Sequence, residues 1–302
     1  MATRITISGV LGSGKSTVCK ELQKKYHFSY FSTGALQRKI ADDKGMSTYE
    51  LNRYSEKHPE IDQLIDNELI NLSSSTDNIV IDSRMAWHFV KGAFKVYLTT
   101  DETVAAQRVI EDDRGFSESY SDIADAREKL SARKKSENYR YGQKYDVDCH
   151  NFKNYDLIID TTEISPDIVA EHIMIQFKKW EKKESYPIFW LSPKILYPTQ
   201  SIREISIKIV EKYIKKLNEN KELYPIDIVV SGGFCFIYDG HHRVAAYAKK
   251  DYRLIPCNLV GQDDDVVGKM TVNQYVSGEF SSTKAYDWED YIDFRYLTYP
   301  KP

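Results

Sequence analysis

The sequence predicts an α/β protein in which a parallel sheet flanked by helices is followed by a smaller α/β domain. Apolar segments rich in Val, Ile, Phe and Tyr alternate with helical segments, a pattern typical of parallel strands joined by helices. A charged stretch over 178–187 ends in a proline, and the pattern changes after it. The 302 residues suit about two domains. We therefore predict domains over 1–182 and 186–302.

The elements of the first domain follow from its apolar runs and the segments between them. β-Branched and aromatic residues favour buried parallel strands. We predict strands at 5–8, 28–31, 78–82, 93–98 and 155–160, and helices at 15–25 and 166–182.

The second domain begins with a helix predicted at 205–220, with Ile205, Ile209, Ile214 and Leu217 on its packing side. A strand at 226–230, a Ser-Gly-Gly turn at 231–233 and a strand at 234–238 follow. A helix at 242–250 and a strand at 254–259 complete the predicted elements.

Composition narrows the class of protein. The 42 basic and 45 acidic side chains give a net charge of −3, which carries no global signature of nucleic-acid binding. The sequence lacks an apolar run near the ~18 residues of a membrane span, and its first residues lack a secretory core. Four scattered cysteines without CxxC spacing favour free thiols in a reducing compartment. We therefore expect a cytoplasmic protein with no membrane partner.

The strongest motif is residues 9–16, Gly-Val-Leu-Gly-Ser-Gly-Lys-Ser, which fit GxxxxGK[ST] between a predicted strand and helix. Glycines let backbone N–H groups point at phosphate oxygens, and the helix adds its positive N-terminal end. Lys15 is expected to reach the β- and γ-phosphates, and Ser16 to ligate Mg²⁺. We predict ATP and Mg²⁺ as cofactors, with the nucleotide bound by Gly9, Gly12, Ser13, Gly14, Lys15, Ser16 and Thr17.

Further patterns follow in order: Ser-Thr-Gly-x-x-x-Arg at 32–38, Ile-Asp-Ser-Arg at 81–84, and an arginine-bearing stretch at 132–141. With the phosphate loop and residues 155–161, they resemble the cytidylate kinases, particularly the short archaeal type, over about residues 1–177. The resemblance implies a nucleoside monophosphate kinase fold. It also implies a monophosphate-binding arm that opens at Ser32, Thr33 and Gly34.

The resemblance also implies roles for charged residues beyond Lys15. Arg38 and Arg84 would hold the acceptor phosphate, and Asp82 would hold Mg²⁺ or its water. Arginines suit these tasks because the guanidinium group grips phosphate through two hydrogen bonds. The arginines expected to close over the transferred group are Arg133 and Arg140, with Arg108 and Arg114 as further candidates. The bulky residues 85–89 depart from the bacterial pattern, so the acceptor base stays open, with CMP or dCMP implied by the family.

A second motif, Asp-Gly-His-His-Arg, occupies 239–243 between a strand and a helix. Gly240 permits a tight turn, and Arg243 lies near a helix N-terminus that can bind an anion. His241 and His242 can donate hydrogen bonds or exchange protons near neutral pH. A zinc site is a rival interpretation, although adjacent histidines on a turn diverge.

This motif resembles the ParB/sulfiredoxin superfamily, and most closely its free serine kinases, over about residues 191–260. The resemblance implies a nucleotide-binding turn formed by Gly240, His242 and Arg243. In a serine kinase, Asp239 and His241 would orient the acceptor or hold a metal. The sequence departs from the sulfiredoxins, since no cysteine lies near His241. It departs from the serine kinases at Thr199, where those proteins carry an acid.

Three functions remain open at this point. The first is an ATP- and Mg²⁺-dependent kinase of CMP or dCMP, with a nucleotide-binding second domain. The second is a bifunctional kinase whose second domain phosphorylates L-serine or a similar small hydroxyl compound. The third is a kinase associated with DNA or RNA, for which the basic stretch 127–144 offers phosphate contacts as readily as a lid.

Overall fold

The computed structural model describes residues 2–55, 57–112 and 120–300, and the chain divides into two compact units between Ser185 and Tyr186. Within the described residues, none of the helices has the length and apolar character needed to cross a membrane. The four cysteines are buried and free, as the sequence predicted.

The first unit is built on a five-stranded parallel sheet in the order β2-β3-β1-β4-β5. The central strand pairs with β3 at Ile5–Val80 and with β4 at Ile5–Phe94, and all three side chains are buried. Because the strands are parallel, their carboxyl ends share one edge, where open α/β sheets bind ligands. The strands are β1 Arg4–Gly9, β2 Ser29–Ser32, β3 Ile79–Asp82, β4 Phe94–Thr99 and β5 Leu157–Asp160.

Eight helices of the described residues surround this sheet. The two predicted ones, α1 and α8, pack on each other and bury Leu22 and Ile173. The helices are α1 Lys15–Tyr26, α2 Thr33–Asp43, α3 Thr48–Ser55, α4 Pro59–Leu72, α5 Ala86–Phe89, α6 Glu102–Glu111, α7 Ile123–Tyr145 and α8 Pro166–Glu181. The parallel sheet flanked by helices confirms the predicted fold class.

The second unit contains a mixed five-stranded sheet in the order β6-β10-β8-β9-β7. Strand β8 runs parallel to β10 and antiparallel to β9. The strands are β6 Phe189–Leu191, β7 Leu196–Tyr197, β8 Ile226–Ser231, β9 Phe234–Asp239 and β10 Ile255–Gln262, with a short hairpin of β11 Val266–Val267 and β12 Met270–Thr271. The helices are α9 Ile207–Asn218, α10 His241–Lys249, α11 Val272–Glu279 and α12 Ser282–Ile292.

One packing prediction for α9 is wrong. The helix begins at Ile207 rather than Ile205, and it buries Val210 and Leu217. Ile209, predicted on the packing side, is 42% exposed. Positions 210 and 217 lie on one face at a period of 3.6 residues, and Ile209 lies about 100° away from Val210.

Candidate active site

Glycines shape the loop between β1 and α1. A Cβ on Gly9 would overlap the carbonyl oxygen of Leu98, and a Cβ on Gly12 would lie 2.5 Å from the carbonyl oxygen of Ala105. Gly12 and Gly14 also have φ values of +76° and +78°, a region that side chains disfavour. The loop therefore takes its course only with glycine at these positions.

The side chain of Lys15 folds back against the phosphate loop. The Lys15 ammonium group donates hydrogen bonds to the carbonyl oxygens of Val10 at 2.8 Å and Gly9 at 3.2 Å. A phosphate group entering the loop would meet this ammonium group together with the N-terminus of α1. Lys15 is therefore positioned for the phosphate contact that the sequence predicted.

Arg108 joins the loop to the neighbouring strand ends. Its guanidinium group donates to the carbonyl oxygen of Thr161 at 2.7 Å and to that of Gly12 at 3.4 Å. Burial lowers the pKa of Arg108, whereas the Asp160 charge acts in the opposite direction. These contacts give Arg108 a bracing role at the base of the loop.

The ends of β2 and β3 supply the acceptor side of the site. The Ser32 hydroxyl accepts the amide of Ala35 and caps α2, and the Thr33 hydroxyl donates to the carbonyl of Asp82 at 3.4 Å. The Tyr30 hydroxyl donates to the Asp82 carboxylate at 3.4 Å. Burial and the Asp82 charge raise the pKa of Tyr30, which stays a neutral donor at physiological pH. Tyr30 therefore contacts the Asp82 carboxylate, and Thr33 joins the start of α2 to the end of β3.

A largely buried acid, Glu137, pairs with two of the predicted arginines. The Glu137 carboxylate forms an ion pair with Arg84, and its other oxygen accepts from Arg133 Nε at 2.9 Å. Burial disfavours the charged carboxylate, but the two guanidinium groups outweigh it and lower the pKa of Glu137. Sequence analysis missed this residue, although its spacing of four from Arg133 is a signal for an ion pair on one helix face.

The other end of α7 faces acids on α4. Lys144 Nζ lies 3.0 Å from the Asp62 carboxylate, and the Tyr145 hydroxyl donates to Asp66 at 2.7 Å. Burial raises the pKa of Asp66 despite this hydrogen bond. The Arg140 guanidinium group lies 5.3 Å from the centre of the Tyr141 ring. Sequence analysis did not single out this acidic group.

One cavity of about 890 Å³ brings these groups together, within the size range of small-molecule sites. The predicted residues that line it are Gly12, Ser13, Gly14, Lys15, Ser16, Thr17, Ser32, Thr33, Gly34, Arg38, Asp82, Arg84, Arg108, Arg133 and Arg140. Gly9 shapes the loop without lining the cavity, and Arg114 falls outside the described residues.

The arrangement agrees with the comparison of the sequence with known proteins. Residues 4–163 match the Cytidylate kinase-like family, which is just over half of the chain. The chain belongs to this family. It is a nucleoside monophosphate kinase-like phosphotransferase, and membership of a kinase family implies ATP as phosphate donor and usually Mg²⁺.

Individual relatives cover this region to different extents. The cytidylate kinase of Pyrococcus abyssi is 37% identical over 164 residues, which cover 54% of this chain and 87% of the relative. The cytidylate kinase of Thermoplasma volcanium is 34% identical over 198 residues, 64% of this chain and 98% of the relative. An S-adenosylmethionine-dependent nucleotide dehydratase of Lacinutrix mariniflava is 35% identical, and the chain spans only 37% of its length.

Beyond the region matched by the kinase family, the second unit has a cavity of its own, about 610 Å³ in volume. All five residues of the second motif, Asp239, Gly240, His241, His242 and Arg243, line it. A sulfiredoxin from Arabidopsis thaliana aligns with 24% of this chain and 82% of its own length, at 19% identity and a TM-score of 0.23. A score of this size decides nothing about the second unit, so its resemblance to that superfamily stays a prediction.

The arginine of the second motif is held by its surroundings. The Arg243 guanidinium group donates to the carbonyl oxygens of Tyr224 at 2.9 Å and Pro225 at 2.6 Å, and to the Asp239 carboxylate at 2.6 Å. Gly240 has a φ of +108°, and a Cβ there would lie 2.8 Å from the guanidinium group. The glycine therefore makes room for the arginine, and Asp239 acts as its counter-ion.

The histidine geometry corrects one expectation. His241 is 1% exposed, and its Nε2 accepts the backbone amides of Thr199 at 3.0 Å and Gln200 at 3.2 Å. Burial lowers the pKa of His241 to about 3, so the ring is neutral at physiological pH. This arrangement favours anchoring of the 199–200 segment over the predicted proton exchange.

The second histidine is also occupied, since His242 Nε2 accepts the amide of Ser206 at 3.0 Å. Over the described part of the chain, no group of three or more His, Cys, Asp or Glu side chains could hold a metal ion. The zinc interpretation of the histidine pair therefore has no support in the structure.

Proposed function

We propose that the protein transfers the γ-phosphoryl group of ATP to CMP or dCMP. The observation that carries this proposal is the single cavity lined by both the phosphate loop and the acceptor-side residues Arg38 and Arg84. Phosphoryl transfer depends chiefly on positioning and charge neutralisation, which this cavity can supply. The cytidine base is supported by the cytidylate kinase relatives.

The donor end of the cavity suits a triphosphate with its metal ion. The loop amides and Lys15 would bind the phosphates. The Ser16 hydroxyl and the Asp82 carboxylate line the same cavity, and oxygen ligands are those that Mg²⁺ prefers. When bound, Mg²⁺ would neutralise charge on the phosphate oxygens.

The acceptor end would hold the monophosphate against a group of arginines. Arg38 lies on α2 and Arg84 follows β3, while Arg133 and Arg140 lie on α7. Guanidinium groups from three elements can surround a phosphate and keep its oxygen in line with the donor. We propose that Arg133 and Arg140 contact the transferred group, since they line the same cavity as Lys15.

A panel of nucleoside monophosphates with labelled ATP tests the acceptor. We expect CMP and dCMP to be phosphorylated with a higher kcat/KM than UMP, AMP or GMP. Phosphorylation of another monophosphate, with none of CMP, would refute the cytidine proposal. The same assay includes L-serine and short DNA or RNA as acceptors.

Replacing the loop lysine tests the mechanism. Lys15→Ala removes the ammonium group from the phosphates, and we expect kcat/KM to fall at least about 100-fold, as when one preorganised charge donor is lost. Lys24→Ala is the matched control, because Lys24 is an exposed lysine on the same helix. Full activity of the Lys15 variant would remove the loop from the mechanism.

For the second unit, we propose that the 610 Å³ cavity binds a small phosphate-bearing molecule. The support is the position of the motif, with Arg243 and the N-terminus of the nine-residue helix α10 at one cavity. We expect the Lys15→Ala protein, titrated calorimetrically with ADP, still to bind ADP at one site, the cavity of the second unit. The double variant Lys15→Ala/Arg243→Ala should lose this binding. Unchanged binding by the double variant would refute the proposal.

A further inference from the structure

The acid that bonds to both arginines is less exposed than either of them. The side chain of Glu137 is 15% exposed, compared with 20% for Arg84 and 32% for Arg133. All three line the cavity that the phosphate loop also lines. The carboxylate therefore meets both guanidinium groups at the wall of this cavity.

The contacts leave donors for a ligand. A guanidinium group carries five N–H donors, and the ion pair with Glu137 engages the NH1 nitrogen of Arg84. The remaining Arg84 donors are the second N–H of NH1 and the N–H groups of Nε and NH2. An acceptor phosphate can therefore bind Arg84 while the carboxylate stays in place.

Charge explains why the acid is needed. Two guanidinium groups that converge on one site repel each other while no anion is bound. Their long side chains also have many rotamers, so ordering them costs conformational entropy. A buried carboxylate bonded to both removes the repulsion and fixes their planes. The two arginines come from different places, since Arg84 follows β3 and Arg133 lies on α7, so the acid also joins the helix to the end of the sheet.

We infer that Glu137 is a positioning residue that fixes Arg84 for the phosphate of the acceptor nucleotide and Arg133 for the group in transfer. This inference rests on the proposed function and adds a residue that acts through the arginines. It assigns Glu137 to the phosphate end of the acceptor and to the point of transfer, and to neither the nucleoside part of the acceptor nor the ground-state binding of ATP.

The variant Glu137→Gln keeps the shape of the side chain and removes its charge. We expect KM for CMP to rise roughly 10- to 100-fold, since the variant loses charge-assisted hydrogen bonds that orient both arginines. kcat should fall as well, because Arg133 contacts the transferred group, whereas KM for ATP should stay within about twofold. Inhibition by cytidine, which has no phosphate, should also stay unchanged.

The matched control is Glu128→Gln, the same substitution at an exposed position of α7. It should leave all of these constants unchanged. General damage to α7 would raise KM for ATP and weaken cytidine together with CMP, and that result would overturn the inference. Weaker cytidine inhibition with unchanged ATP would also overturn it, because it would place Glu137 at the nucleoside.

A double-mutant cycle tests the route through the arginine. If Glu137 acts through Arg84, adding Glu137→Gln to Arg84→Lys should raise KM for CMP by less than the product of the separate effects. Independent effects that multiply would overturn the inference. Failure of the wild-type protein to phosphorylate any monophosphate would overturn the proposed function and this inference with it, whereas an active wild type with unchanged Glu137→Gln kinetics would overturn the inference alone.

Discussion

Replacing Gly12 by alanine perturbs the phosphate loop in two separable ways. Gly12 has a φ of +76°, a left-handed conformation that destabilises the folded state by roughly 1–2 kcal/mol when an alanine adopts it. The added Cβ would also lie 2.5 Å from the carbonyl oxygen and 2.8 Å from the Cα of Ala105, both backbone atoms of α6. Relieving such an overlap costs about 1–3 kcal/mol. We expect a total loss of about 2–5 kcal/mol in the free energy of unfolding.

Two other glycines isolate the conformational part of this cost. Gly14 has a φ of +78° and Gly45 a φ of +66°, and a Cβ at either position meets no atom within 4 Å. Each alanine variant should lose only about 1–2 kcal/mol. Gly45 lies outside the cavity lining, so its variant should also keep its kinase activity.

Calorimetric or urea-induced unfolding of the three variants measures the difference. For a unit of 185 residues, 1 kcal/mol shifts the melting temperature by roughly 2–4 °C, so Gly12→Ala should melt at least a few degrees below the other two. Its kinase activity should fall as well, because the loop backbone must move away from its phosphate-binding course. Equal destabilisation of all three variants would refute the argument that close approach to α6 requires glycine at position 12.

Three further predictions concern the second unit and the metal ion. The pKa of His241 is near 3 in the folded protein, whereas that of an unfolded histidine is near 6.5. Between these values the unfolded state binds one more proton than the folded state. The free energy of unfolding therefore falls by up to about 1.4 kcal/mol for each unit by which the pH drops. His241→Gln should flatten this slope in urea unfolding between pH 4.5 and 7, and coincident slopes would contradict the assignment. Gly240→Ala should displace the Arg243 guanidinium group and abolish ADP binding in the Lys15→Ala background, so unaltered calorimetric binding would count against it. EDTA should stop phosphoryl transfer and excess Mg²⁺ should restore it, whereas activity that persists in EDTA would exclude the proposed metal role.

The second motif shows where residue types alone mislead. A His-His pair before a helix suggested proton exchange, because histidine titrates near neutral pH. The structure instead turns His241 inward, where Nε2 receives two backbone amides and burial keeps the ring neutral. Whether a histidine is solvated or buried depends on the elements packed over it, which a five-residue motif does not record.

The sequence by itself determined the phosphate loop and the strands that carry it. The loop is recognisable from a contiguous motif, since its glycines allow the positive φ values that it needs and its lysine follows directly at the start of α1. The parallel strands are encoded by short apolar runs whose burial the sheet requires. A contiguous pattern is enough to find such features, although the close approach of Leu98 and Ala105 to the loop glycines is visible only in the structure.

Only the tertiary structure decided which charges meet. Arg84 and Glu137 are 53 positions apart and pair because α7 turns one face toward the end of β3. The Arg108 contact with Gly12 likewise spans 96 positions. Many charged residues on α7 could have faced the site, and the energy of packing the whole helix, rather than any local preference, selected the face that does.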